Sequence, residues 1–263
     1  TLPPKMASEF AALEGKPQPT WFATSDPAGT RLGSGGGTAH VLAEAWRATG
    51  PVISFSKWLA GSRKLIIHGG GQSRRLPAYA PVGKLLMPIP VFRWSRGQRL
   101  DQTLLELQLP DYRRVLAHAA PGTVAMVASG DVLLRFAPEL PPFPAVDVLG
   151  LGMWVKPELM KDFGVFVSPR PRPNELACFE QKPSLVRLRE LSGDHLCLVD
   201  TGMWLLSERA VSALMGHCGW QREAFAGGRA APYELYAQFG LALGTRPQAR
   251  DDEVNALTCA VVL

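Results

Sequence analysis

Two runs of nearly bare backbone constrain this chain more than any other feature. One is Gly33, Ser34, Gly35, Gly36, Gly37 and Thr38 (GSGGGT); the other is Gly69, Gly70, Gly71, Gln72, Ser73, Arg74 and Arg75 (GGGQSRR). Glycine lets a chain turn tightly and lets successive N–H groups approach a ligand, but it brings no side chain to a core, so the flanking segments must supply one. Ahead of the first run, residues 20–25 (TWFATS) are predicted to form a strand that stops at Asp26-Pro27. After it, Val41, Leu42, Ala45 and Trp46 recur at helical spacing until Gly50-Pro51 closes the segment. The second run follows another short predicted strand, residues 64–68 (KLIIH).

The same alternation continues. Residues 101–119 carry apolar residues at helical spacing, and Pro110-Asp111 predicts a break into two helices. Residues 123–128 (TVAMVA) read as a buried strand ending in Ser129-Gly130-Asp131, which puts a carboxylate just beyond a strand's carboxyl end. Further strands are predicted at 164–167, 195–199 and 203–206, with Asp200-Thr201-Gly202 between the last two. Ser207 is placed to cap a helix that stops at Gly216. Strands alternating with helices predict an α/β fold with a mostly parallel central sheet covered by helices. Ligands of such sheets gather outside the carboxyl ends of the strands, where both glycine runs and Asp131 would lie.

Composition narrows the class. Of 263 residues 46% are hydrophobic, so 26 glycines and 23 prolines do not make the chain disordered or collagen-like. The net charge of +5 suits anionic ligands but lacks the dense Lys and Arg runs of a nucleic-acid binder, so nucleic acid is not expected as a partner. Residues 115–130 are free of Lys, Arg, Asp and Glu, but Pro121-Gly122 cuts them in half; no membrane partner is expected and the reading is cytoplasmic. Cys178, Cys197, Cys218 and Cys259 have no CxxC spacing and are expected to be reduced and buried. The five histidines show no metal-ligand spacing, and no GxSxG is present.

What remains is phosphate chemistry. Residues 33–38 have the parts of a phosphate cradle at a helix start, although Thr38 stands where a dinucleotide fingerprint needs glycine. The alternative is an ordinary turn. The second run is more informative because Arg74, Arg75 and then Lys84 follow it: Arg offers a fork matched to phosphate oxygens, Lys a compact charge. Asp131 could hold Mg²⁺, which takes one or two carboxylates and leaves its other positions to water and phosphate. Glu180 and Lys182 form a compact acid and base pair before Pro183, suited either to gripping a polar ligand or to a surface turn.

Taken as a unit, residues 69–88 (GGGQSRRLPAYAPVGKLLMP) resemble the nucleotidyltransferase signature in which glycines lead to Arg-Leu, prolines and Lys-x-Leu-x-Pro. TSDPAGTRLGSGGGT (24–38), PIPVFRWSRGQRLDQTLLE (88–106), FEQKPS (179–184), LVDTGMW (198–204) and YELYAQFGLALGT (233–245) narrow the resemblance to the GDP-L-fucose pyrophosphorylase part of the bifunctional fucokinase enzymes. It covers the chain from about Trp21 onward. The resemblance implies a single Rossmann-like nucleotidyltransferase domain over 1–263, with 1–20 as an N-terminal extension and the family's β-helix and sugar kinase absent, the kinase being a fused or separate partner. It implies synthesis of GDP-L-fucose and pyrophosphate from GTP and L-fucose 1-phosphate with Mg²⁺. Residues 33–38 and Gly69 to Arg74 would hold the nucleotide. Arg75 and Lys84 would act on the phosphates, Asp131 on the metal, and Glu180, Lys182, Asp200, Thr201 and Gly202 on the sugar phosphate. Asp200 and Glu234 are the candidates for a second metal carboxylate. Another sugar phosphate or NTP, or a non-catalytic module that binds a nucleotide sugar, stays open from the residues alone.

Overall fold

The computed structural model describes residues 1–14, 20–50, 52–69, 83–89 and 102–263. Along it run α1 (Pro4–Glu14), α2 (Gly33–Ala48), α3 (Phe55–Ala60), β1 (Lys64–His68), a 3₁₀ turn (Lys84–Leu86), α4 (Leu104–His118), β2 (Thr123–Ser129) and β3 (Val148–Met153). After these come α5 (Pro157–Met160), β4 (Gly164–Pro169), β5 (Cys178–Gln181), α6 (Leu185–Ser192), β6 (His195–Ser207), α7 (Glu208–His217), β7 (Trp220–Gln221), β8 (Ala224–Phe225), a π-helical turn (Leu235–Phe239), α8 (Asp252–Asn255) and β9 (Cys259–Val262). The main sheet has 7 strands. β1 and β2 are parallel, as are β3 and β9, while β6 runs antiparallel to β2, β3 and β4, and β5 antiparallel to β4. All but β5 and β6 therefore point the same way, which is the α/β sheet the sequence predicts. Because β6 is central, most pairings are nonetheless antiparallel.

β6 organises the sheet. Val199 pairs with both Met153 and Val165, and Trp204 with both Val127 and Gly150. So β3 runs along one edge of β6 from Val199 to Leu206, and β2 and β4 share the other, β2 along residues 203–207 and β4 along 195–199. Opposite Gly150 and Gly152 of β3 the register of β6 jumps from Trp204 to Asp200, a bulge that bends the strand between its two partners. What reads in the sequence as two strands is one bent strand.

Helices cover both faces. On one face α2, α3 and α7 pack with Val127, Phe166, Leu198, Trp204 and Leu206. On the other, Tyr112 and Val115 of α4 meet Met126, Ala128, Met203 and Leu205, and Leu188 and Leu191 of α6 meet Val165, Val167, Cys197 and Val199. The four cysteines are free; Cys178, Cys197 and Cys218 are buried and Cys259 partly so. Leu2 and Phe10, in the predicted N-terminal extension, are buried against Leu85, Leu86 and Leu105.

Three local expectations differ. Residues 20–25 form no strand: Phe22 turns to one core and Trp21 and Ala23 to another, as in an extended chain, but the segment joins no ladder among the described residues. Residues 104–118 are one helix despite Pro110. Its ring is exposed, so the missing donor faces water, while the buried stripe Leu104, Leu105, Leu107, Gln108, Tyr112 and Val115 runs straight past it and a Thr103–Glu106 capping box fixes its start.

The third concerns Gly33 to Thr38, which form the first turns of α2 and not an open loop before it. Residues 231–234 cross directly over this helix end. A Cβ on Gly33 would lie 2.6 Å from Glu234 Oε1, one on Gly35 2.8 Å from Tyr233 Cδ1, and one on Gly36 2.7 Å from the Ala231 carbonyl oxygen. Close chain crossing thus accounts for three of the glycines. Only Gly37 of this set is open, with the nearest atom to its Cβ position, His68 Cε1, at 3.5 Å.

Gly36→Ala must push against backbone and is expected to destabilise the fold by roughly 1–3 kcal/mol, whereas Gly37→Ala should be neutral or slightly stabilising, since a helical Gly→Ala change lowers the entropy of the unfolded chain. Urea midpoints of the two variants check the difference, and equal midpoints would refute the crossing as the reason for the glycines.

Candidate active site

The shared edge of β6 leaves one stretch, Asp200 to Gly202, between the end of β2 and the start of β4. This gap is the floor of a cleft. Gly202 adopts φ +77°, a left-handed conformation that favours glycine, and a Cβ there would sit 2.8 Å from Ser129 Cβ. The turn brings the Gly202 N–H within 2.8 Å of Asp200 Oδ1, and the indole N–H of the fully buried Trp204 donates to the same oxygen at 3.0 Å. Asp200 Oδ2 has no hydrogen-bond partner among the described residues. Burial pushes the Asp200 carboxyl up to about 7, against the lowering effect of those two donors.

The opposing wall comes from the ends of β1 and β2. Gly130 must be glycine, because its N–H donates to the His68 carbonyl at 3.0 Å and a Cβ would stand 2.7 Å from that oxygen. Asp131 follows. Its Oδ2 accepts from Lys84 Nζ at 2.8 Å and its Oδ1 from Ser129 Oγ at 2.7 Å. Burial alone would raise this carboxyl, but the Lys84 and Ser129 hydrogen bonds and the Lys84 charge together hold it below the ordinary range, so it is ionised at neutral pH. Lys84 is anchored by the buried Leu85 and Leu86, and Gly83 before it touches Gly69: a Cβ on Gly83 would lie 2.9 Å from the Gly69 carbonyl oxygen. Gly69 and Lys84, predicted site residues from the two ends of the basic run, therefore meet beside Asp131. Gly70, Gly71, Gln72, Ser73, Arg74 and Arg75 lie outside the described residues.

Tyr236, which sequence reasoning did not single out, roofs the cleft. Its ring packs edge-on against Trp204 at 5.3 Å, and its hydroxyl pKa is raised first by burial, then by the charges of Asp200 and Asp131. Both carboxylates are therefore near enough for their charges to act on this hydroxyl. Tyr112 supports the same corner by donating to the Ser129 carbonyl at 2.8 Å. Both tyrosines sit at helical spacing among apolar residues, a pattern that reads as core. Tyr112 is indeed core, and only the fold shows that both tyrosines also lie near Asp131.

Other predicted residues are placed differently. The N–H groups of Gly35 and Gly36 donate to the Tyr233 carbonyl, both at 2.9 Å, and the Ser34 N–H and Oγ donate to Glu234 Oε2 at 3.2 and 3.0 Å. These donors are therefore satisfied by the chain itself, and an open phosphate cradle over Gly33 to Thr38 is not what the fold builds. Thr38 is buried, its hydroxyl 2.8 Å from His68 Nε2, and burial pushes the His68 imidazole down to about 3, so it stays neutral. The contact still seats this helix start beside the end of β1. Thr201 is buried and donates to the Leu151 carbonyl at 2.8 Å, away from the cleft. Glu180 Oε1 accepts from Arg187 Nη2 at 2.8 Å and Gln248 Nε2 at 2.7 Å, a structural role. Lys182 is exposed at the Asp200 end of the sheet, since Gln181 pairs with Gly164 and Val165 with Val199, and φ +52° turns its backbone there. Glu234 Oε2 is bound to Ser34 over the start of α2.

No group of three or more His, Cys, Asp or Glu side chains is placed to share one ion among the described residues. Mg²⁺ takes one or two carboxylates and leaves its other positions to water and phosphate, and Asp200 has an oxygen without a hydrogen bond among the described residues to offer. No helix among the described residues is long and apolar enough to cross a membrane.

A family profile described as the fucose pyrophosphorylase domain matches residues 56–254. A protein of Bacteroides fragilis named L-fucokinase/L-fucose-1-P guanylyltransferase is 45% identical over 262 residues, which is 100% of this chain and 27% of that protein. A Mus musculus protein named fucose-1-phosphate guanylyltransferase is 34% identical over 103 residues, covering 39% of this chain and 15% of that one. The chain thus spans about a quarter of the first relative's length and less of the second's. Among solved structures, one titled mannose-1-phosphate geranyltransferase, from Thermus thermophilus, shares 13% identity with a TM-score of 0.35, over 76% of this chain and 73% of that one.

Asp200 supplies a signature of the cleft in stability. Its carboxyl titrates near 7 when folded and near 4 when unfolded, so between those values the folded chain binds more protons and stability falls as pH rises. Asp200→Asn is expected to flatten that decline in a plot of Tm against pH from 4 to 7; parallel curves for the two proteins would show that the carboxyl is not buried as described.

Proposed function

Since the chain belongs to the fucose pyrophosphorylase domain family, we propose that it is a sugar-1-phosphate guanylyltransferase that forms GDP-L-fucose from GTP and L-fucose 1-phosphate. The observation that carries this reading is the Lys84–Asp131 pair at the foot of the basic glycine-rich run, facing Asp200 across the gap in β6. It is an ion pair between side chains that are 32% and 46% exposed, which contributes at most about 1 kcal/mol to stability. A cation and an anion placed so cheaply at a cleft are available for a ligand.

The reaction needs alignment and charge neutralisation more than a base. A phosphate oxygen of the sugar phosphate attacks the α-phosphorus of GTP in line; the new P–O bond forms as the bond to the β-phosphate oxygen breaks, and pyrophosphate leaves with the electron pair. Lys84 is suited to the negative charge that builds on the phosphates, and Arg75 of the same run to a bidentate grip on them. Asp131 and Asp200 would hold Mg²⁺, which supplies further charge neutralisation on the α-phosphate when bound. Lys182, on the opposite wall and without a partner among the described residues, suits the phosphate of the incoming sugar. His68, neutral and held by Thr38, has no proton-transfer role to fill.

The larger relative's name couples L-fucokinase with L-fucose-1-P guanylyltransferase, and this chain matches 27% of it, so a kinase that makes the sugar phosphate is the expected partner. Incubation with each of the four NTPs and with fucose, mannose or glucose 1-phosphate, followed by pyrophosphate release, tests the assignment; no release with GTP and fucose 1-phosphate refutes it.

Lys84→Ala and Asp131→Asn are expected to fold normally and to lower kcat by two orders of magnitude or more each, the usual loss for a preorganised charge-stabilising group. Lys182→Ala should act mainly on KM for the sugar phosphate. Steady-state kinetics alongside unchanged circular dichroism check both, and wild-type turnover in either of the first two variants would remove the proposed site.

A further inference from the structure

Resting on that reading, GTP has a phosphate end at Lys84 and Asp131 but no assigned place for its base. On the α2 side of His68 opens a cavity of 690 Å³ whose walls include Asp26, Pro27, Gly37, His68, Pro232 and Gln238. We propose that this cavity takes the guanine base and that Asp26 reads its N1–H and 2-amino edge.

Position comes first. His68 joins the two regions: its ring lines the cavity, while its carbonyl oxygen accepts the Gly130 N–H at 3.0 Å, one residue before Asp131. His68 therefore stands between the cavity and Asp131, the two places the base and phosphates of one nucleotide would occupy. The volume is within the 300–1,000 Å³ usual for such ligands.

The chemistry of Asp26 is specific. Its Oδ2 accepts from the Leu32 N–H at 3.1 Å, which fixes the carboxylate, while Oδ1 has no hydrogen-bond partner among the described residues. That oxygen lies 3.8 Å from the point where a Cβ on Gly37 would stand, and the same point is 3.5 Å from His68 Cε1. Gly37 is the one glycine of residues 33–37 that chain crossing does not explain. Its missing side chain leaves the space in which a base edge would meet Asp26. Guanine presents two adjacent donors, N1–H and the 2-amino group, and a carboxylate presents two acceptor oxygens at matching separation, with a lone pair still available on Oδ2. Adenine, uracil and cytosine have no such pair of donors. Glu234, the other carboxylate on the cavity, is held by Ser34 N–H and Oγ and is less free to do this. Pro27 and Pro232 offer flat apolar surface for the ring faces.

The test is binding of GTP, inosine triphosphate, xanthosine triphosphate and ATP by the full chain without sugar phosphate, for wild type and Asp26→Asn. Asn keeps an acceptor for Leu32 N–H, so the local turn survives, but offers one acceptor and one donor in place of two acceptors. Wild type should bind GTP about 10-fold or more tighter than inosine triphosphate, which lacks only the 2-amino group. Asp26→Asn should lose roughly 10- to 150-fold in GTP affinity, the range for a hydrogen bond to a charged group, and gain xanthosine triphosphate, whose 2-carbonyl matches the Asn amide. Equal wild-type affinity for GTP and inosine triphosphate, a result that needs no variant to fold, overturns the proposal, as does an Asp26→Asn protein with unchanged base preference. These outcomes are distinct from failure of the transferase reading, which shows as absent pyrophosphate release with base selectivity in binding intact.

Discussion

The cleft depends on one carboxylate held by two N–H groups at a bend. Asp200 Oδ1 accepts from Gly202 N–H and from the Trp204 indole, and both donors exist because β6 bulges there: the left-handed Gly202 turns its amide back, and the returning strand lays Trp204 beneath. The same bulge lets β2 and β4 share one edge of β6, so the strand that carries the acid also opens the gap above it. Trp204 belongs equally to the aromatic cluster of Phe166, Phe179 and Tyr236. Core packing and site geometry are therefore one problem, and the Asp200 carboxyl can no more rotate away than the core can open.

Much of the fold is legible in the residues. β1, β2, the Ser207 cap of α7 and the position of Asp131 just beyond β2 all follow from local pattern, because in each case hydrophobic period and punctuation agree. α4 is misread at Pro110 since proline's cost depends on which side of the helix it faces, and that is set by a sheet not visible locally. β6 is misread at Gly202 for a related reason: a bulge and a strand end both call for glycine, and only the partner strands distinguish them.

The first glycine run teaches the same point about sites. Glycines clustered at the start of an amphipathic helix suit a phosphate, but they suit equally a second segment of backbone passing in close contact, and for Gly33, Gly35 and Gly36 residues 231–234 are that segment. Sequence spacing cannot tell a ligand's oxygen from a carbonyl brought in from the far end of the chain. The Lys84–Asp131 pair is different. Lys84 sits beyond prolines and Asp131 beyond a strand end, so each is anchored by a neighbour the sequence shows, Leu85 in one case and Gly130 in the other.

That long-range crossing also sets a schedule for making the protein. The start of α2 is closed by Tyr233 and Glu234, with Ser34 and Glu234 200 residues apart in the sequence. At roughly 5–20 residues per second, a ribosome delivers the closing segment about 10–40 seconds after the helix it covers. Through that interval α2 would carry unsatisfied amides and an uncovered apolar stripe, a natural client for a holdase and a reason for the nascent chain to stay protected until residues 231–234 emerge.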